Sequence, residues 1–329
     1  MSSLVWPDGQ WLQEEPQAHG WNASTLAQAQ EAADQLGTTA LMIVHNGVMI
    51  LGHGAISQPT NIHSIRKSIL SALFGIAYDQ RLFSLYATLE ELGVDDIGQL
   101  TKVEKQARII DLLKARSGIY HPTLYETEYM LASKPARGAY PPGANFCYNN
   151  WDFNALGTIY KNITGMTVFE GFEKYLSGPL GMQDFDRARD TCFFVGPESE
   201  HPAYLFRLSA RDLARFGWLF LCGGRWKDKE IVPADWVERS TTSYSVAEGD
   251  AQYGYSGYGY MWWVAANDNH YLNVALPQGS YSARGARGQS LLVVPAFNTV
   301  VIHRVNTDKD GAAVSSEQIG KLLDVIFRA

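Results

Sequence analysis

The chain of 329 residues predicts an α+β fold: one antiparallel sheet flanked by terminal helices, with a mostly helical insert in the middle. Three observations carry this. Strand-type apolar runs sit near both ends of the chain, helix-type periodicity fills the middle, and helical stretches begin and close the sequence.

Near the N-terminus, Asn22 or Ser24 opens a helix across residues 23–36 that Gly37 ends. Apolar runs at 40–44 and 48–51 are joined by His45-Asn46-Gly47, and Asn-Gly between two such runs is a hairpin signal. After Ser64 come Ile69, Leu70, Ala72, Leu73, Phe74, Ile76 and Ala77, apolar nearly all round, as in a helix buried on most faces. From 82 to 225 the chain reads as helices joined by long loops, with helical stretches at 109–115, 153–161, 168–176 and 210–221. Pro141-Pro142-Gly143 interrupts them with a turn. Strand signals return at 257–264, where glycine alternates with large aromatics, and at 290–294 and 299–304, separated by Pro295-Ala296-Phe297-Asn298. An amphipathic helix at 316–327 closes the chain. Residues 1–78 and 222–329 are thus expected to form one discontinuous α/β domain and 79–221 a mostly helical one. A small-molecule site belongs at their interface.

Composition narrows the function. Apolar residues at 46% and charged residues at 19% describe an ordinary globular protein. The net charge of −7 is spread without a basic run, which argues against nucleic acid. No stretch has the length of a membrane span, and residues 1–17 lack a basic region followed by an apolar core, so a cytoplasmic location is expected. Cys147, Cys192 and Cys222, odd in number and far apart, read as buried thiols in a reducing compartment. The eight histidines show no metal-ligand spacing, so neither metal nor other cofactor is expected.

The chemistry points elsewhere. In Ser64-Ile65-Arg66-Lys67, positions i and i+3 share a helix face, so the serine hydroxyl and the lysine amine can meet. A lysine whose pKa is lowered by burial or nearby positive charge can take the serine's proton and make it a nucleophile. His63, Arg66 and Lys67 crowd cations into a helix N-terminus, where they are unfavourable and where a structural first turn would carry acids. The alternative is that Ser64 merely caps the helix and Lys67 snorkels to water. Tyr148-Asn149-Asn150, in a loop after Pro141-Pro142-Gly143, offers a phenol to relay a proton, its pKa lowered by two nearby cations, and an amide to hold a carbonyl. Tyr160-Lys161-Asn162 and Tyr271-Leu272-Asn273 repeat the pattern but read as structural, at a helix end and in a strand. Ala283-Arg284-Gly285-Ala286-Arg287-Gly288 offers a glycine-bearing strand edge whose backbone N–H could pair with that of Ser64 as an oxyanion hole; a glycine-rich turn with two solvated arginines is the plainer reading.

Taken in order, these three segments resemble the serine β-lactamase and penicillin-binding protein superfamily, most of all its class C β-lactamase-related esterases and amidases. The segments 111–118 (ending Ser117-Gly118), Ala155-Leu156-Gly157, Pro179-Leu180-Gly181-Met182, 209–217 and 258–263 also look like blocks of that family. The resemblance implies a β-lactamase-like fold and a serine hydrolase acting through an acyl-enzyme on Ser64. Lys67 and Tyr148 would share the proton work, and Asn150 would bind substrate or fix Lys67. Arg284, Gly285 and Ala286 would line the substrate and oxyanion side. Ala283 departs from the pattern, because the family places a lysine or histidine there. That favours a small-molecule ester, then a simple amide, over a β-lactam or peptidoglycan peptide. A catalytically silent ligand-binding relative is the reading from another class.

Overall fold

The structure, a computed structural model, describes residues 4–247, 256–266 and 270–329. Its main sheet is antiparallel with eight strands. Their order is Val48–Gly54, Ala40–His45, Thr299–Arg304, Gln289–Val294, Tyr281–Gly285, Trp263–Val264, Gly257–Tyr258 and Ser245–Val246. The first turn forms as its residues dictate: Asn46 (φ 51°) and Gly47 (φ 84°) both adopt the left-handed conformation that a tight hairpin needs.

Both faces of the sheet are covered, which is why its central strands read as apolar runs rather than alternating ones. Leu41, Ile43, Leu292, Val294 and Val301 meet the two end helices, Ala23–Gln35 and Ser316–Phe327. Their neighbours Met42, Val44, Leu291, Val293, Val300 and Ile302 point the other way, into the larger core. That core holds the Ile65–Asp79 helix, here the serine helix, and the Ala210–Leu221 helix. The latter, though it falls within the segment expected as the insert, lies directly on the sheet: a Cβ on Gly217 would come within 2.6 Å of Val300 Cγ1.

Four expectations need correction. Residues 82–225 are not only helices and loops, because Thr191–Gly196 and Ser199–Leu208 form a long hairpin that extends to Thr60–Asn61 as a second, three-stranded sheet. The stretch 257–264 is two short strands around a turn at Met261 (φ 60°), not one continuous strand. Tyr271 is not in a strand; it makes only an isolated bridge to Val274. Of the three free cysteines, Cys192 is exposed on the outer strand of the hairpin, while Cys147 and Cys222 are half-buried. Among the described residues no helix is long and apolar enough to cross a membrane.

The serine helix is buried from Ile65 to Ala77, charged residues included. Gly75 is the point of closest approach, since a Cβ there would lie 2.4 Å from the Trp236 ring. Substituting Gly75→Ala gains about 1 kcal/mol of helix propensity. Overpacking against the indole costs about 1–3 kcal/mol. The expected net result is a lower midpoint in urea unfolding, and an unchanged or higher midpoint would contradict this packing.

Candidate active site

Ser64 sits immediately before the serine helix, with no side-chain capping bond, so the capping alternative does not hold. The residue before it, His63, is held at φ 49°, a conformation that costs a non-glycine residue about 1–3 kcal/mol and persists only where its surroundings enforce it. They do. The His63 N–H donates to Asn61 Oδ1 at 2.8 Å, and its ring bonds Thr307 Oγ1 at 2.8 Å and Tyr125 Oη at 2.9 Å. Burial and the cations Arg304, Arg287 and Arg66 push this imidazole down to about 4, so it stays neutral at physiological pH.

Lys67 does not snorkel. It is 1% exposed, and its Nζ donates to Ser64 Oγ at 2.8 Å and Tyr148 Oη at 2.7 Å. The amine also lies 4.3 Å from the Tyr148 ring centroid and 4.6 Å from that of Phe153. Burial, then the neighbouring Arg66 guanidinium, hold its pKa well below the ordinary lysine value. A lysine so placed can rest as a neutral amine able to accept the serine's proton.

Tyr148 is where the loop expectation succeeds and the electrostatic one fails. Its ring is boxed by Phe153, Tyr258 and Trp263 at centroid distances of 5.1, 5.8 and 5.2 Å. Burial raises the phenol's pKa above its usual value, outweighing the lowering effects of the Ser64 hydroxyl and Arg66. The phenol therefore stays protonated, and the lysine is the stronger candidate base.

The segment ending in Ser117-Gly118 holds the Tyr148 loop in place. Cys147 N–H donates to Ala115 C=O at 2.9 Å and Gly143 N–H to Arg116 C=O at 2.8 Å. Gly118 (φ 72°) lies so close to the loop that a Cβ would sit 2.6 Å from Tyr140 O. Ser117 Oγ donates to Asp152, whose fully enclosed carboxyl is pushed far above the usual carboxylate range by burial. Asn149 caps the Asn150–Thr164 helix through the Trp151 N–H at 3.0 Å.

Asn150 does not hold Lys67. Its Nδ2 donates to the Tyr125 carbonyl, and its buried Oδ1 has no hydrogen-bond partner. Arg284 and Arg287 both line the cleft that Ser64 faces, and each guanidinium also bonds internal partners. Ala283 is buried in the core. Arg284 is buried too: it donates through Nε to Ser282 Oγ at 2.9 Å and through Nη2 to Ser256 Oγ at 3.1 Å, and it stacks 3.9 Å over the Tyr271 ring. Arg287, exposed at φ 63°, donates to the Thr307 and Lys309 carbonyls at 3.1 and 3.3 Å.

The strand edge does reach the serine. A Cβ on Gly285 would lie 2.4 Å from Ile62 O, so only glycine lets the strand approach this closely. Ser64, Tyr148, Arg284, Gly285 and Ala286 share one cleft of about 610 Å³, which continues past Tyr271 and Leu272 to the start of the Ser316–Phe327 helix. Sequence reasoning missed Tyr125 and Arg304, which act on the His63 turn before the serine. They lie far from Ser64 in sequence, and no local pattern marks them as neighbours of the site.

The beta-lactamase family model matches residues 23–323. A protein of Alkalihalophilus pseudofirmus is 21% identical over 293 residues, 84% of this chain and 86% of its own length. The 6-aminohexanoate-dimer hydrolase of Paenarthrobacter ureafaciens is 28% identical over 192 residues, 55% of this chain but only 44% of the hydrolase. Among solved structures, a penicillin-binding protein homologue from Caulobacter crescentus superimposes with a TM-score of 0.68 at 14% identity, covering 98% of each chain. The order of elements, the serine–lysine–tyrosine cluster and the match across most of the chain agree: this protein belongs to the beta-lactamase family and is a hydrolase of the serine β-lactamase type.

Proposed function

We propose that the protein cleaves carboxylic esters of small, uncharged acyl groups through an acyl-enzyme on Ser64. The observation that supports this above all others is the desolvated Lys67 amine, within hydrogen-bonding distance of both Ser64 Oγ and Tyr148 Oη. Lys67 Nζ takes the Ser64 proton as Oγ bonds to the substrate carbonyl carbon, and the carbonyl π electrons move onto oxygen. The oxyanion faces the backbone at Ser64 and Ala286. As it collapses, the bond to the leaving group breaks, the leaving group takes a proton from Tyr148 Oη, and Lys67 returns one to the tyrosine. Water then repeats the sequence against the ester on Ser64, giving the carboxylic acid and the free serine.

Simple linear amides are the second substrate class. An amine leaves only when protonated, and a Tyr148 phenol kept protonated beside the serine suits that need. The relationship to a 6-aminohexanoate-dimer hydrolase supports the same reading. β-Lactams rank below both, because Ala283 supplies no cation and the Arg284 and Arg287 guanidiniums are engaged with internal partners. Short-chain p-nitrophenyl esters are therefore expected to turn over, with little or no turnover of nitrocefin; rapid nitrocefin hydrolysis would reverse the ranking.

Ser64→Ala is expected to abolish both ester turnover and labelling by a fluorophosphonate probe. Folded wild-type protein that neither labels nor turns over esters would instead be a silent ligand-binding relative. Tyr148→Phe should cut kcat by about 10²–10⁴-fold, the range for a lost acid–base group, and more severely on anilides than on p-nitrophenyl esters, whose leaving group needs little protonation. Equal small effects on both would mean the relay is misassigned. The base is active when unprotonated, so kcat/KM should fall as pH drops through the Lys67 pKa. That acidic limb should lie well below the ordinary lysine range. A rate that keeps climbing to pH 10 or so, as for an unperturbed lysine near 10.4, would contradict the assignment.

A further inference from the structure

Arg66 stands between Ser64 and Lys67 in sequence and is fully buried, at 0% exposure. A buried guanidinium ordinarily sits against a carboxylate, because an unpaired charge in a dry interior is costly. Here, among the described residues, no ion pair involves it. Nη2 donates to the neutral amide of Asn154 at 3.1 Å, while Nε and Nη1 have no hydrogen-bond partner. The guanidinium instead lies 4.4 Å over the Tyr204 ring and 5.9 Å from that of Tyr125. Stacking on an aromatic face offsets part of the desolvation while leaving the positive charge unneutralised.

The groups around the pair are equally lacking in negative charge. The Tyr148 loop presents a protonated phenol, the Asn150–Thr164 helix presents Phe153 and Asn154, and the Ser199–Leu208 strand presents Tyr204, whose pKa burial also raises. His63, on the turn before the serine, is neutral. Asp152, on the same helix as Phe153, has its carboxyl bonded to Ser117 and Asn149 and pushed up by burial. A site that tolerates so uncompensated a cation breaks a local rule of stability, and such breaches concentrate where function needs them.

We propose that Arg66 is a positioning residue that acts on Lys67 through charge: its unneutralised guanidinium, buried on the same first turn as the lysine, disfavours a second cation there and keeps the amine free to accept the serine's proton. This rests on the acyl-enzyme reading above, in which Lys67 is the base. Burial is the larger influence lowering Lys67 and the Arg66 charge the second, and both side chains lie in a dry interior where screening by water and salt is weak. Removing or neutralising that charge should raise the lysine's pKa and move the acidic limb of kcat/KM to higher pH.

Two substitutions test this by different routes. Arg66→Gln removes the charge. Asn154→Asp leaves Arg66 in place but sets a carboxylate of the same size against Nη2. Both are expected to move the acidic limb upward on p-nitrophenyl acetate, by about one pH unit, the order of effect that a nearby like charge has. The pH dependence of fluorophosphonate labelling should move in parallel. Rates should recover toward wild type at high pH. Arg66→Lys, which keeps a cation, should leave the limb closer to its wild-type position. If Arg66→Gln does not fold, Asn154→Asp and Arg66→Lys still decide the matter. Rates lowered uniformly at every pH with an unmoved limb would reduce Arg66 to a packing role and overturn the proposal. Wild-type protein with no acidic limb, or with no label on Ser64, would instead overturn the acyl-enzyme reading on which it rests.

Discussion

One amine, stripped of water between a serine hydroxyl and a phenol, is the constraint on which the rest of this structure depends. Lys67 is charged in water and would remain so on a surface. Its burial works against that preference, because an ammonium in an interior without a carboxylate loses hydration that two hydrogen bonds and two aromatic faces replace only in part. The burial is not local. It requires a helix enclosed on every side from Ile65 to Ala77, a tyrosine loop pressed against it, and an aromatic box around that tyrosine. Each of these comes from a different part of the chain.

What aims the cluster is a set of polar clamps in the surroundings. Arg304, at the end of a central strand, donates to the Leu208 carbonyl at 2.7 Å, to Thr60 O at 3.0 Å and Oγ1 at 2.7 Å, to Asn61 O at 3.1 Å and to Gln289 Oε1 at 2.7 Å. One side chain thereby ties the main sheet and the end of the Ser199–Leu208 strand to the segment running into Ser64. The strained His63 turn is then fixed by Asn61, Thr307 and Tyr125. On the far side, Ser117, Asp152 and Asn149 form a buried network that holds the start of the next helix under Tyr148. These are interior hydrogen bonds in a low-dielectric setting, so they rigidify as well as stabilise.

Much of this was legible in the chain. The i, i+3 spacing of Ser64 and Lys67, the Asn46-Gly47 turn, the closing helix at 316–327 and the loop position of Tyr148 are all local properties, and local periodicity and turn chemistry record them. The hairpin at 191–208 was missed although Cys192-Phe193-Phe194-Val195 followed by Gly196-Pro197 is a readable strand and turn; it sits among helices and its partner, Thr60–Asn61, is two residues long. The electrostatic sense of Tyr148 could not be read at all. Two nearby cations predict a lowered phenol, but the burial that outweighs them exists only once the serine helix, Phe153, Tyr258 and Trp263 have packed around it. Strand alternation likewise could not place Arg287, which lies in a left-handed turn beyond the strand's end.

The protonation state of one side chain carries the account. With lysine labelled at 13Cε, the chemical shift of the Lys67 signal, assigned by its loss in Lys67→Met, reports that state directly as pH is varied. The Lys67 signal is expected to titrate well below those of the surface lysines. A Lys67 signal that titrates together with the surface lysines, near their ordinary value, would contradict it.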